Sequence, residues 1–159
     1  MPKDTLLNSV TKRDELTIKN KTREDIEDVD FIFRLIWTGD VHQEKDETPR
    51  LEPGQEDTKS SRGIGNGGNF RNFEVEVRLL TPENEDLYVG HFTHGIFAEP
   101  GSSGKHEETE IHFDLDTLNF YREYWVWYRD RDTPEKETQV IGPLPAKTKG
   151  FVESISKRF

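Results

Sequence analysis

The sequence predicts an all-β protein, a single two-layer antiparallel β-sandwich with long polar loops. Three observations carry this. Only two alanines and one methionine occur, against ten Phe, four Tyr, three Trp and nine Val, a balance that suits pleated surfaces better than helices. Apolar residues recur at every second position in several short runs, which is the period of a strand with two distinct faces. Clusters of Pro, Gly, Asn, Asp and Ser separate those runs as turns. With 159 residues the chain suits one domain, which at this size buries roughly two-thirds of its unfolded surface. Leu, Ile, Val and Phe number 11, 9, 9 and 10, clear of the roughly 20% floor below which charged chains stay disordered.

Residues 1–15 read as a flexible N-terminal segment and 16–159 as the domain. Leu16 and Ile18 alternate with Thr17 and Lys19 in an opening strand, which Asn20 to Asp25 ends as a polar turn. Val29, Phe31, Phe33, Leu35 and Trp37 then share one face, with Ile32 and Ile36 on the other, so this strand is expected to be central and covered on both sides. From Thr38 to Asn72 the chain is polar, broken by Pro49, Pro53 and a glycine-rich run at 63–68, and reads as a long loop or a broken edge strand. Phe73, Val75, Val77 and Leu79 alternate with Glu74, Glu76 and Arg78, and a turn over Thr81 to Asp86 leads into an extended segment from Leu87 to Phe97, together a hairpin. After a flexible tract at 99–104, Ile111, Phe113 and Leu115 face inward while Glu110, His112 and Asp114 face outward. The next strand concentrates aromatics, with Tyr124, Val126 and Tyr128 on one face and Trp125 and Trp127 on the other. A short strand near Val140 and Ile141 is stopped by Pro143 and Pro145, and the last ordered piece is placed at Phe151 to Ile155. There is no internal repeat.

The net charge of −10 repels phosphate backbones, so nucleic acid and anionic membranes are poor candidates as partners. No apolar run is long enough to span a bilayer. The lack of cysteine rules out disulfides, a thiolate nucleophile and Cys-ligated zinc. Residues 1–15 lack the apolar core of a signal peptide, which places the protein in the cytoplasm and leaves secretion by a non-classical route open.

Gly63, Gly65 and Gly68 fit the spacing of a dinucleotide-binding loop, but neither a buried strand before them nor a helix after them is present in the pattern, so a surface loop is the better account. His91 and His94, three apart, point to opposite faces of a strand and cannot readily share one metal unless the strand bends there. Glu108, Glu110, His112 and Asp114 alternate onto one outward face, with His106 and Glu107 nearby in the loop before it, and carboxylates plus an imidazole could hold a divalent ion. The plainer account is a solvated acidic face. No activated nucleophile stands out among the serines, so no catalytic residue and no cofactor are assigned. In the aromatic strand, one face fills the core; a two-layer sandwich cannot bury both, so some rings are expected at the surface. Exposed Tyr and Trp suit a quaternary ammonium or an apolar ligand.

Ile18-Lys19-Asn20 in an opening strand, Trp37-Thr38-Gly39 ending another, Glu52-Pro53-Gly54, Ser61-Arg62-Gly63 before a Gly-Asn-rich loop, His91-Phe92 and Pro100-Gly101-Ser102 follow an order that resembles the actinoporin-like β-sandwich superfamily, which includes the aegerolysins. The resemblance covers roughly residues 16–102. It implies binding of membrane lipid through choline headgroups, with Tyr121, Tyr124, Trp125, Trp127 and Tyr128 as the aromatic cluster. Residues 1–15 are too short and too charged for the inserting helix of the pore formers.

The expected function is therefore a non-enzymatic binding protein for a zwitterionic lipid. An immunoglobulin-like protein-interaction or adhesion module is the second reading, and a carboxylate-based hydrolase or metal-binding protein the third. Edge strands invite pairing with another chain, so a homodimer is compatible with the pattern.

Overall fold

The computed structural model describes residues 15–39, 45–60, 72–95, 105–128 and 133–150. The elements that build the layers follow in chain order among the described residues: β1 (Glu15–Asn20), α1 (Thr22–Asp25), β2 (Ile32–Gly39), β3 (Lys45–Leu51), β4 (Glu56–Ser60), β5 (Asn72–Leu80), β6 (Asp86–Gly95), β7 (Lys105–Asp114), β8 (Asn119–Tyr128) and β9 (Glu135–Pro143). They form a five-stranded sheet in the order β4-β1-β7-β8-β9 and a four-stranded sheet in the order β3-β2-β5-β6. The pairing is antiparallel throughout, except that β1 runs parallel to β7. The two-layer sandwich expected from the alternation is thus present.

Burial follows the period-two pattern where the sequence is clearest. On β2, Phe33, Leu35 and Trp37 are buried, and the intervening Ile32, Arg34 and Ile36 are only half-buried. The strand is internal to its sheet, yet its outer face is not covered as expected, because Arg34 lies there in ion pairs with Glu47 and Asp86. An aromatic cluster joins the layers. Phe31 lies 4.9 Å from Phe113 and 5.0 Å from Phe120, and Phe33 meets Phe120 edge-on at 5.3 Å.

The polar tract after Thr38, expected as a loop or a broken edge, contains two edge strands, one in each sheet. Pro49 is tolerated in β3 because that strand is an edge and bulges against β2 there. Gly54 makes the turn to β4 with φ of 87°, a conformation that favours glycine. Asn20 anchors this corner. Its amide donates to the Phe31 and Leu51 carbonyls at 2.7 and 3.0 Å and its oxygen accepts from the Thr22 hydroxyl at 2.7 Å. The Lys21 amide donates to the Ile111 carbonyl at 2.9 Å, which sets α1 against β7.

The opposite edge closes by backbone contact. β6 bulges at Val89 against β5, and β9 bulges at Ile141 against β8. The two bulges meet, so that a Cβ on Gly90 would fall 2.0 Å from the Ile141 oxygen and one on Gly142 2.0 Å from the Val89 oxygen. Bulges of this kind turn a strand at a sandwich corner. Strand β9 is longer than the short piece expected near Val140 and is exposed over most of its length. The glycine-rich run at 63–68, the tract at 99–104 and the expected strand at 151–155 lie outside the described residues. Among the described residues, no helix is long and apolar enough to cross a membrane.

Candidate metal centre

Strand β7 is the middle of the five-stranded sheet, and its alternation gives it two contrasting faces. Glu107, Thr109, Ile111 and Phe113 point between the layers, whereas His106, Glu108, Glu110 and His112 point away from the core. His106 and Glu107, read from the sequence as loop residues, belong to this strand. Its hairpin with β8 turns at Asp114, whose side-chain oxygen accepts the Asp116 amide at 3.0 Å, while the Leu118 amide donates to the Asp114 carbonyl at 2.8 Å. That register sets Glu123 opposite Glu110 and Tyr121 opposite His112.

The result is a cluster of one imidazole and two carboxylates. One donor atom from each of Glu110, His112 and Glu123 lies within 4.8 Å of the others. His112 is held from behind: its Nδ1 is 3.0 Å from Asp25 Oδ2 on α1, and the same oxygen accepts the Phe113 amide at 2.9 Å. A carboxylate only accepts, so Nδ1 carries the proton of this contact and Nε2 is the ring nitrogen left to meet a ligand. That Nε2 is buried, has no hydrogen-bond partner among the described residues and stands 3.6 Å from Glu110 Oε1. A carboxylate behind a histidine in this way orients imidazoles for metal ligation. Tyr121 stacks on the ring at 5.3 Å, and burial followed by the charges of Asp25, Glu123 and Asp114 holds its phenol above the ordinary range. The local field is negative and favours a cation. Lys136 flanks the cluster, 3.8 Å from Glu123.

Of the four acidic-face residues singled out by alternation, Glu110 and His112 enter the cluster. Asp114 does not, since its carboxylate caps the turn; hydrogen bonds from Thr117 and Asp116 hold it below its usual value. Glu108 lies on the same face but outside the triad. Glu123 and Asp25 were missed. The hairpin turn carries a signal for the first, because pairing Asp114 with Asn119 sets Glu110 against Glu123. No local signal marks Asp25.

The expected exposed aromatic surface is overturned. Trp127 is fully buried and packs against His106 in a tilted arrangement with ring centroids 5.3 Å apart, although both face away from the core. Tyr121, Tyr124 and Trp125 are half-buried and engaged: Tyr121 on His112, Tyr124 on the Arg122 guanidinium at 3.8 Å, and Trp125 beneath Lys136 at 5.4 Å. Tyr124 also donates to Glu137 at 2.6 Å, and burial and that bond push its pKa up to about 12. The Tyr128 side chain lies outside the described residues. The physical reason is that the five-stranded sheet supplies these rings with partners of its own, the imidazoles of His106 and His112 on the outer face, Arg122 on the inner face and Lys136 on the neighbouring β9. Among the described residues, the large apolar side chains that do reach solvent are Tyr88 and Val140, on other strands. Lipid binding through exposed aromatics is therefore not the function of this strand.

Between the layers lies a second polar constellation. Arg122 Nη1 donates to Glu107 Oε1 at 2.8 Å and to Thr109 at 3.1 Å, its Nε donates to Gln139 at 2.9 Å, and its guanidinium lies 4.2 Å from the Phe92 ring centroid. Glu107 also pairs with His94 Nδ1, and all three side chains are buried. His91, by contrast, faces outward beside Tyr88, as the odd separation requires. Burial alone would raise the Glu107 pKa, but the hydrogen bond and charge of His94 together with Arg122 more than offset it, leaving it lowered. Asp86 is lowered too, by its bond to Arg78 and then by Arg34. A carboxyl with a lowered folded pKa stabilises the protein above its unfolded value, about 3.9–4.3, and that stability is lost as pH falls through the folded value. The urea midpoint should thus fall between pH 5 and pH 3. A midpoint that stays flat over that interval contradicts the assignment.

Comparison of the chain with family models, with curated proteins and with solved structures finds no match.

Proposed function

We propose that this protein binds a divalent metal ion of the zinc class through Glu110, His112 and Glu123, with Asp25 as the positioning residue behind His112. The observation that carries the reading is the buried, unpartnered Nε2 of His112, aimed at Glu110 while its Nδ1 is held by Asp25. An imidazole with two carboxylates suits borderline ions such as zinc or ferrous iron better than calcium, which takes oxygen ligands alone. Three protein donors leave a position for water or a ligand, the arrangement that metal-assisted hydrolysis uses.

Isothermal titration with zinc tests it. Wild type should bind, with the melting temperature rising with the logarithm of the free zinc concentration above Kd. His112→Ala should weaken this site by at least about 100-fold, and Asp25→Ala by about 10–100-fold, since loss of an outer carboxylate costs that much in ligand orientation. A wild-type protein that takes up no zinc at millimolar concentration, or a His112→Ala variant that binds at this site as well as wild type, sinks the reading.

A further inference from the structure

The outward face of β7 repeats the same pair of donors in reverse. His106, Glu108, Glu110 and His112 occupy alternate positions, so the face reads histidine, glutamate, glutamate, histidine from one end to the other. His112 Nε2 stands 3.6 Å from Glu110 Oε1, and His106 Nε2 stands 3.7 Å from Glu108 Oε1. Both separations exceed a hydrogen bond, which closes at about 2.7–3.2 Å. Both approach the edge of a tetrahedral zinc shell, about 3.4 Å for bonds near 2.1 Å. Two pairs of the same atoms on one strand thus share one spacing.

His106 is a costly residue to leave as it is. Its side chain is fully buried, and neither ring nitrogen has a hydrogen-bond partner among the described residues. Buried polar groups are normally satisfied, so a donor or acceptor pair left open on one ring asks for an occupant. Trp127 covers one face of the ring and offers no lone pair, so the occupant must meet the ring edge, where Glu108 stands.

We propose that His106 and Glu108 form a second seat for a divalent ion of the same class, so that the protein holds two ions along one strand. The two seats differ in their neighbours. At the first, β8 supplies Glu123 across from Glu110; at the second, β8 supplies Trp125 and Trp127 across from Glu108 and His106. The remaining acidic neighbour comes from the other side, where Glu15 of β1 is in register with His106 on the same face. With fewer donors contributed by the flanking strands, the second seat is the weaker. The inference takes only its metal class from the reading of the first seat; its own support is the geometry and burial of His106.

Zinc titration of the full chain, followed by calorimetry, gives the stoichiometry. Wild type should take two equivalents; His106→Gln should lose the weaker one and His112→Gln the tighter one. A single equivalent lost in His112→Gln and kept in His106→Gln overturns the second seat and leaves the first standing. A single equivalent with the opposite dependence overturns the first and supports the second. A second equivalent that persists in His106→Gln also overturns this seat. Because His106 is buried and the variant can fail to fold, nitrogen-15 histidine ring spectra of wild type provide an independent reading. On zinc saturation Nε2 of His106 should move to the range of a metal-bound nitrogen, and an unchanged signal at two equivalents overturns the proposal.

Discussion

Replacing Arg122 with Met is expected to destabilise the fold by about 3–5 kcal/mol, because it leaves the Glu107 carboxylate buried without its guanidinium. The loss has several sources. Arg122 is hydrogen-bonded to Glu107, Thr109 and Gln139 and is packed between the Phe92 and Tyr124 rings, so a single truncation unpairs three acceptors on two strands. Glu107 keeps His94, which can neutralise it only by carrying a proton. The double variant Glu107→Leu/Arg122→Met should cost much less than the sum of the singles, since removing both charges also removes the desolvation of each. Urea denaturation of the four proteins of this cycle measures the coupling. A single Arg122→Met that costs under about 1 kcal/mol would mean that the guanidinium is reached by water in solution.

The second large effect separates two tryptophans that the sequence placed side by side. Trp127→Ala should cost about 3–5 kcal/mol, the loss for truncating a fully buried large aromatic, whereas Trp125→Ala should cost about 1 kcal/mol. Trp127 is completely enclosed against His106; Trp125 is half-buried beneath Lys136 and gives up a cation contact and part of its area. Equal losses from the two substitutions, read from urea midpoints, would contradict the burial that removed these rings from the surface.

These two cases show where a reading of residues reaches its limit. Alternation assigned Ile111 and Phe113 to the core and Glu110 and His112 to the outside correctly, because the two-residue period of a strand is a local property. By the same parity Glu107 belongs on the inner face, where an unpaired carboxylate is costly. It is accommodated there because Arg122, opposite Ile111 on β8, reaches it across the hairpin, a partnership that parity alone does not reveal. The polar stretch after Thr38 failed for a related reason. Edge strands are bonded on one side and half-solvated, so β3 and β4 carry charge and a proline where an internal strand would carry apolar residues.

Taken alone, the sequence determined the fold class, the inward and outward faces of the clearer strands, and the presence of an imidazole among carboxylates on one of them. Tertiary structure decided the rest. Glu123 joins Glu110 through hairpin register, and Asp25 reaches His112 from 87 positions away because Asn20 and Lys21 tie α1 to the end of the sandwich. It also decided that an outward-facing tryptophan is buried and an inward-facing arginine is paired. The physical reason is one of range. Strand parity follows from backbone geometry over two residues, whereas the covering of a face and the pairing of a buried charge depend on segments that only folding brings together.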